Sequence, residues 1–135
     1  GCCPVHQALT PQEVIAVKRE FPDAPFVAHP ECRSDVLALA DFVGSTSAIL
    51  KFARESNART IVIGTEAGIL DKLRKDSPDK KFVLASEALL CADMKKITLD
   101  DIEKSLITMQ PAVTVSREIS DAAKKALDRM LSLAS

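Results

Sequence analysis

The sequence is poor in large aromatic side chains. Its 135 residues include no tryptophan, no tyrosine and only five phenylalanines. Proteins that stack nucleic-acid bases, or that sit at a bilayer surface through aromatic belts, rely on such side chains. The 18 lysines and arginines are balanced by 19 acidic residues, and charges of both signs are interspersed along the chain. The sequence therefore has no basic patch that would bind a phosphate backbone. We therefore expect neither nucleic acid nor a membrane as a partner.

Long apolar runs are missing as well, and the first residues given do not resemble a secretory leader. The longest apolar stretches are far too short to span a bilayer. The first residues lack the basic, apolar and small regions of a signal peptide, so we expect a cytoplasmic chain whose four cysteines are reduced thiols. A chain of 135 residues can bury a sufficient core without disulfides.

Short apolar segments that suit strands alternate with amphipathic helical patterns. Residues 61–63 are consecutive β-branched residues without polar alternation, which is typical of a parallel strand covered on both faces. The alternation predicts an α/β fold in which a short parallel sheet lies between helices as a three-layer sandwich.

Two helix starts are marked by their capping residues. Thr10 precedes Pro11 and Glu13, and Thr98 precedes Asp101 in the same spacing, so each group predicts a capping box. The last predicted helix carries an apolar stripe that must pack either on this domain or on a neighbouring one. The stripe consists of Ile119, Ala123, Ala126, Met130 and Leu133.

Polar or reactive residues follow each predicted strand. The relevant segments read HPEC, GSTS, GTEAG and EALLCADMK. Ligands of open parallel sheets bind beyond the carboxyl ends of the strands, so these segments predict one shared site.

Ser45 and Thr46 begin a predicted helix directly after Gly44. Free N–H groups and the helix dipole favour a carboxylate or phosphate there, and a glycine lets an anion approach the backbone. The alternative is an ordinary N-cap. The GTEAG loop is a weaker candidate, because the charge of Glu66 would repel an anion.

His29 and Glu31 flank a proline at a strand end. An imidazole and a carboxylate two residues apart suit proton transfer beside a carbonyl group. The alternative is a solvated surface loop.

The cysteines allow three interpretations. The first is a structural zinc site, whose ligands would be Cys3 and His6 together with His29 and Cys32, although no CxxC pair is present. Buried, inert thiols are the second interpretation. The third is an iron-sulfur cluster held by isolated cysteines on separate loops, which would need Cys91 as well.

Five ordered motifs resemble the quinolinate synthase family: GCCPVH, HPEC, ADFVGSTS, GTEAGIL and CADMKKITLDDIEKSL. The resemblance implies an iron-sulfur enzyme of NAD biosynthesis, built from three related α/β domains about a pseudo-threefold axis. Each domain of that family supplies one cysteine to a [4Fe-4S] cluster whose fourth iron stays open to substrate. The implied reaction condenses iminoaspartate with dihydroxyacetone phosphate to quinolinate, with loss of phosphate and water.

The resemblance also implies roles for individual residues. It makes Cys3 and Cys91 cluster ligands, whereas Cys2 and Cys32 match no ligand position. Ala92 stands where the family often has proline, a change that leaves the neighbouring thiolate intact.

Further roles implied by the resemblance concern the substrates. It makes His29 and Glu31 the substrate-contacting and proton-transfer pair, and Ser45 and Thr46 binders of carboxylate or phosphate.

The same resemblance implies that the chain is a C-terminal portion of the enzyme, without the first domain and most of the second. Residues 1–20 would then be the edge of the preceding domain with a linking helix, residues 21–110 the α/β domain, and residues 111–135 a C-terminal helix. The missing N-terminal domains are then expected partners. The alternative function is a non-catalytic α/β module that is stabilised by zinc or binds an anion.

Overall fold

A computed structural model describes residues 2–134, and it contains one parallel sheet with helices on both faces. The strands are β1 Phe26–Ala28, β2 Phe42–Val43, β3 Thr60–Gly64 and β4 Lys81–Leu84, in the sheet order β2-β1-β3-β4. The α-helices are α1 Pro4–Ala8, α2 Pro11–Glu20, α3 Ser34–Leu37, α4 Thr46–Glu55, α5 Ile69–Asp76, α6 Leu99–Thr108 and α7 Arg117–Ala134. This architecture confirms the predicted α/β class and its short parallel sheet.

Two apolar clusters cover the two faces of the sheet. Val62 of β3 belongs to the first cluster together with Val14 of α2, whereas Ile61 and Ile63 belong to the second cluster together with Ile49 of α4. All five side chains are fully buried. The β-branched run of β3 is apolar without alternation because both of its faces are covered, as the sequence predicts.

The connections change direction at β1. The chain leaves β1 through α3, which packs in the first cluster, and reaches the neighbouring β2. It then passes through α4, which packs in the second cluster, to β3 on the other side of β1. The adjacent carboxyl ends of β1 and β3 therefore form a topological switch point, where open α/β sheets bind ligands.

Both predicted capping boxes are present. The Thr10 hydroxyl accepts a hydrogen bond from the Glu13 N–H, and the Glu13 carboxylate accepts one from the Thr10 N–H. Thr98 and Asp101 exchange the same pair of bonds at the start of α6. Glu13 also accepts a hydrogen bond from the Ser86 hydroxyl just after β4, which ties the start of α2 to that segment.

The chain divides into two compact units, the first ending at Lys95 and the second beginning at Lys96. The first unit contains the sheet with α1–α5, and the second contains α6 and α7. On α7, Ile119 and Met130 are exposed. The predicted domain boundaries, and the surface that covers the apolar stripe, stay predictions.

Within residues 2–134, none of the helices has the length and apolar character that crossing a membrane requires.

Gly64 is required by the packing at the end of β3. A Cβ atom at this position would lie 2.6 Å from Cε2 of Phe26 and 3.1 Å from the Val27 carbonyl oxygen. We expect Gly64→Ala to lower the free energy of unfolding by about 1–3 kcal/mol, the usual cost of overpacking. Chemical denaturation measures this loss.

The Phe26→Leu background provides the control for this prediction. The added methyl group should cost less there, because the ring that it would strike has been removed. An equal loss in both backgrounds would show that the Phe26 ring is not the obstacle.

Candidate functional site

His6 links the first helix to the end of β3. The helix α1 begins directly after Cys3, with Pro4 at its first position. His6 Nε2 lies 2.9 Å from Oγ1 of Thr65, in a buried hydrogen bond between residues 59 positions apart. Because Thr65 directly follows β3, this bond brings α1 to the switch point.

The residues after β1 complete a cluster of two imidazoles and a carboxylate. The rings of His6 and His29 stack, with centroids 4.4 Å apart. Glu31 Oε2 lies 3.4 Å from His6 Nδ1 and 3.5 Å from His29 Nδ1. The Glu31 side chain is 47% exposed, whereas both imidazoles are largely covered. The predicted pair His29 and Glu31 is therefore joined by a third group, His6.

Burial and the neighbouring imidazole keep His6 uncharged. Burial lowers the pKa of His6 below its ordinary value, and His29 lowers it further, while Glu31 opposes both effects only in part. His6 Nδ1 is buried and has no hydrogen-bond partner among residues 2–134. The cluster therefore contains a neutral imidazole whose Nδ1 faces a carboxylate.

Cys3 adds a thiol to this cluster. Ligand atoms of Cys3, His6 and Glu31 all lie within 4.8 Å of one another, and Cys3 is partly exposed. The zinc set considered from the sequence also contained His29 and Cys32, which do not belong to this close group of described residues. Of that set, only Cys3 and His6 therefore place their ligand atoms at metal-binding distances from each other among the described residues.

Cys32 has the properties of an inert, buried thiol. Its Sγ donates a hydrogen bond to the Gly64 carbonyl oxygen at 3.4 Å. Burial raises the pKa of the Cys32 thiol to about 11. The interpretation as an inert thiol therefore fits Cys32.

Cys91 reaches the same edge of the sheet through Glu66. Its N–H donates to Glu66 Oε1 at 3.1 Å, and its thiol is partly exposed. Glu66 follows Thr65, the partner of His6, so the segments that carry Cys3 and Cys91 meet at consecutive residues. Two partly exposed thiols on converging segments suit the thiolate ligation of an iron-sulfur cluster.

Ser45 and Thr46 lie at the start of α4. Ser45 is the N-cap, and its hydroxyl accepts a hydrogen bond from the Ala48 N–H at 3.3 Å. The first turn of α4 contains no acidic residue, which leaves its dipole available to an anion. Capping by Ser45 is confirmed, and substrate binding by either residue stays a prediction.

Thr46 shares a cavity with residues that follow β3. The cavity has a volume of about 270 Å³. Its lining consists of Thr46, Thr65, Glu66, Gly68, Ile69 and Met94. It therefore connects the start of α4 with the residues that contact His6 and Cys91.

Sequence reasoning placed the GTEAG segment in the shared site but assigned no individual role to Thr65 or Glu66, and it considered His6 only as a zinc ligand. The GTEAG motif was the available signal, but the charge of Glu66 counted against it. In the structure that charge is compensated, because the carboxylate accepts hydrogen bonds from Lys95 Nζ and from the Cys91 N–H.

The fold and the site define a doubly wound α/β domain with thiols, imidazoles and a carboxylate at its switch point. A family model described as "Quinolinate synthetase A protein" matches residues 1–132. The chain belongs to this family, the quinolinate synthases, and the resemblance noted in the sequence is confirmed.

Curated relatives support the same assignment. The chain is 54% identical over 133 residues to the quinolinate synthase of Geotalea uraniireducens (strain Rf4) and 50% identical to that of Geobacter sp. (strain M21). It is 44% identical to quinolinate synthase 1 of Methanosarcina acetivorans. Each match covers 98% of this chain and 44% of the relative. The chain thus spans less than half the length of these relatives.

The thiols should differ in reactivity. We expect iodoacetamide at pH 8 to modify Cys32 at least about tenfold more slowly than Cys3 or Cys91, because burial and a raised pKa deplete its thiolate. Mass spectrometry of timed digests measures the three rates. In denaturant the rates should converge, and a Cys32 that reacts as fast as Cys91 in the native chain would contradict its assignment as inert.

Proposed function

We propose that this chain is part of a quinolinate synthase that condenses iminoaspartate with dihydroxyacetone phosphate to quinolinate, with loss of phosphate and water. The observation that carries the proposal is the gathering of Cys3, His6, His29 and Glu31 at the switch point, in a chain of this family. Such a site offers a soft metal ligand beside groups that move protons.

A [4Fe-4S] cluster is the proposed cofactor. Cys3 and Cys91 would supply two of its thiolates, and the third would come from the part of the longer relatives that this chain does not match. The bound cluster supplies Lewis-acid activation of the substrate. A reducing cytoplasm would keep these thiols available.

Glu31 is the proposed proton acceptor. Its carboxylate is half-exposed and therefore accessible to a substrate, whereas the two imidazoles beside it are largely covered. Condensation requires the removal of protons from carbons next to carbonyl-type groups, and a positioned carboxylate serves as the base. His29 lies 3.5 Å from the carboxylate and exchanges the proton with it. Neutral His6, held by Thr65, supports the His29 ring by stacking.

Ser45 and Thr46 are the proposed anion binders. Both proposed substrates carry anionic groups, namely carboxylates on one and a phosphate on the other. The start of α4 offers N–H groups, two hydroxyls and no acidic side chain in its first turn. These features favour an anion through hydrogen bonds and the helix dipole.

The cluster ligands can be tested in a chimera in which this chain replaces the matched 133 residues of the Geotalea uraniireducens relative. After anaerobic reconstitution with iron and sulfide, Cys3→Ser and Cys91→Ser should each abolish the broad visible absorbance of the cluster. Cys32→Ser should retain it, because a buried and protonated thiol is a poor ligand. Absorbance and iron content per chain are the measurements.

The isolated chain is the control for this experiment. With two of the three proposed thiolates, it should neither hold the cluster stably nor form quinolinate. Equal loss of absorbance in all three cysteine variants would argue for a different ligand set.

The proposed base can be tested in the same chimera. Glu31→Gln keeps the shape of the side chain but removes the proton acceptor, so kcat should fall by about 100-fold or more while KM changes little. Asp35→Asn is a matched control, since Asp35 is an exposed carboxylate paired with Arg33. If the kcat of the Glu31→Gln variant stays within a few-fold of that of the unmodified chimera, the base lies elsewhere.

A further inference from the structure

Glu66 is a covered carboxylate that joins two loops at the carboxyl edge of the sheet. Its side chain is only 11% exposed. Oε2 accepts a hydrogen bond from the Gly68 N–H at 2.7 Å, at the start of α5. Oε1 accepts from the Cys91 N–H at 3.1 Å and from Lys95 Nζ at 3.0 Å. Both oxygens are therefore engaged, each with a different segment of the chain.

The hydrogen bonds outweigh the cost of burying this charge. Burial is the largest single influence on the pKa of Glu66 and acts to raise it. The bonds from Cys91, Gly68 and Lys95 together lower the pKa below its ordinary value. Two backbone N–H groups and one ammonium group thus surround this covered carboxylate, and hydrogen bonds to such a group are stronger than those between neutral partners.

The Cys91 segment is already anchored to the fold without Glu66. Leu89 is fully buried, and its carbonyl oxygen accepts a hydrogen bond from the Ala67 N–H at 2.8 Å. Glu66 instead holds Cys91 itself and Lys95, four residues further on. Its contacts therefore hold the Cys91 backbone and the Lys95 side chain, in a stretch that follows the last buried residue of the segment.

Gly68 leaves the space that this carboxylate occupies. A Cβ atom at Gly68 would lie 2.7 Å from Glu66 Oε2 and 3.2 Å from Lys95 Nζ. The φ of Gly68 is −60°, a value that any residue adopts. The glycine is thus required by space rather than by backbone conformation, and an alanine there would displace the carboxylate without removing its charge.

We propose that Glu66 is a positioning residue that fixes Cys91 in place as a cluster ligand, in the space that Gly68 provides. This inference rests on the proposed function, because it assigns Glu66 a role toward the proposed cluster. Leu89 and Ala67 bring the segment to the sheet, and Glu66 then fixes the position of the Cys91 backbone, which carries the thiol. Groups that orient a metal ligand typically change metal retention by about 10- to 100-fold when they are removed.

The test uses Glu66→Gln and Gly68→Ala in the chimera defined above. A glutamine offers one acceptor oxygen in place of two, so it cannot hold both loops, and Gly68→Ala displaces an intact carboxylate. Both variants should lose the reconstituted cluster to a chelator at least about tenfold faster than the unmodified chimera. The decay of visible absorbance measures this rate independently of turnover.

Glu13→Gln is the matched control. Glu13 is also a hydrogen-bonded carboxylate, and it contacts the segment after β4 at Ser86. The Glu13→Gln variant should lose some thermal stability, but its rate of cluster loss should be unchanged. If Glu13→Gln accelerates cluster loss as much as Glu66→Gln does, general loosening explains the effect and the inference is overturned.

A second measurement separates this inference from the proposed function. In the cluster-free chimera, hydrogen exchange of the peptide that contains Cys91 should accelerate in Glu66→Gln and Gly68→Ala but not in Glu13→Gln. If neither hydrogen exchange of this peptide nor the rate of cluster loss changes in Glu66→Gln and Gly68→Ala, the role of Glu66 is overturned while the proposed function stands. An unmodified chimera that never holds a cluster would overturn the proposed function, and with it the role assigned to Glu66.

Discussion

The parallel pairing of β1 with β3 is the constraint on which the site depends. Ala28 lies opposite Gly64, and the His29 N–H donates to the Gly64 carbonyl oxygen one residue beyond β1. The residues that follow the two strands, His29 and Thr65, are thereby held side by side. His6 of α1 contacts Thr65, and its imidazole stacks on that of His29. A register shift by one residue would turn these side chains to opposite faces of the sheet.

Burial divides the polar groups of the site into distinct electrostatic states. His6 is covered and neutral, because burial and the neighbouring His29 lower its pKa and the carboxylate of Glu31 offsets only part of that effect. Glu66 is covered and charged, because two backbone N–H groups and a lysine compensate it. Glu31 remains half-exposed and close to both imidazoles. The acidic group that faces solvent is thus the one free to meet a ligand.

Local patterns predicted the fold well, whereas contacts between distant residues escaped them. The capping box of Thr10 and the apolar run at residues 61–63 depend on neighbours in sequence or on burial class, so the sequence contains their whole signal. The bond from His6 to Thr65 joins residues 59 positions apart, and only the sheet order brings them together. The compensation of Glu66 escaped for the same reason: its charge was visible, but the Cys91 N–H and the Lys95 ammonium group that pair with it come from another loop.

The buried thiol of Cys32 also has a consequence for oxidative damage. Cys32 is close enough to Cys3 for the two thiols to influence one another electrostatically, so it is a neighbouring thiol with which an oxidised Cys3 would react. Thiolate is the reactive form of cysteine, and a thiol with a pKa of about 11 stays almost entirely protonated at pH 7. The sheet that buries Cys32 therefore slows the reaction that would consume Cys3. Burial of one thiol thus lowers the risk of oxidative loss for its partly exposed neighbour.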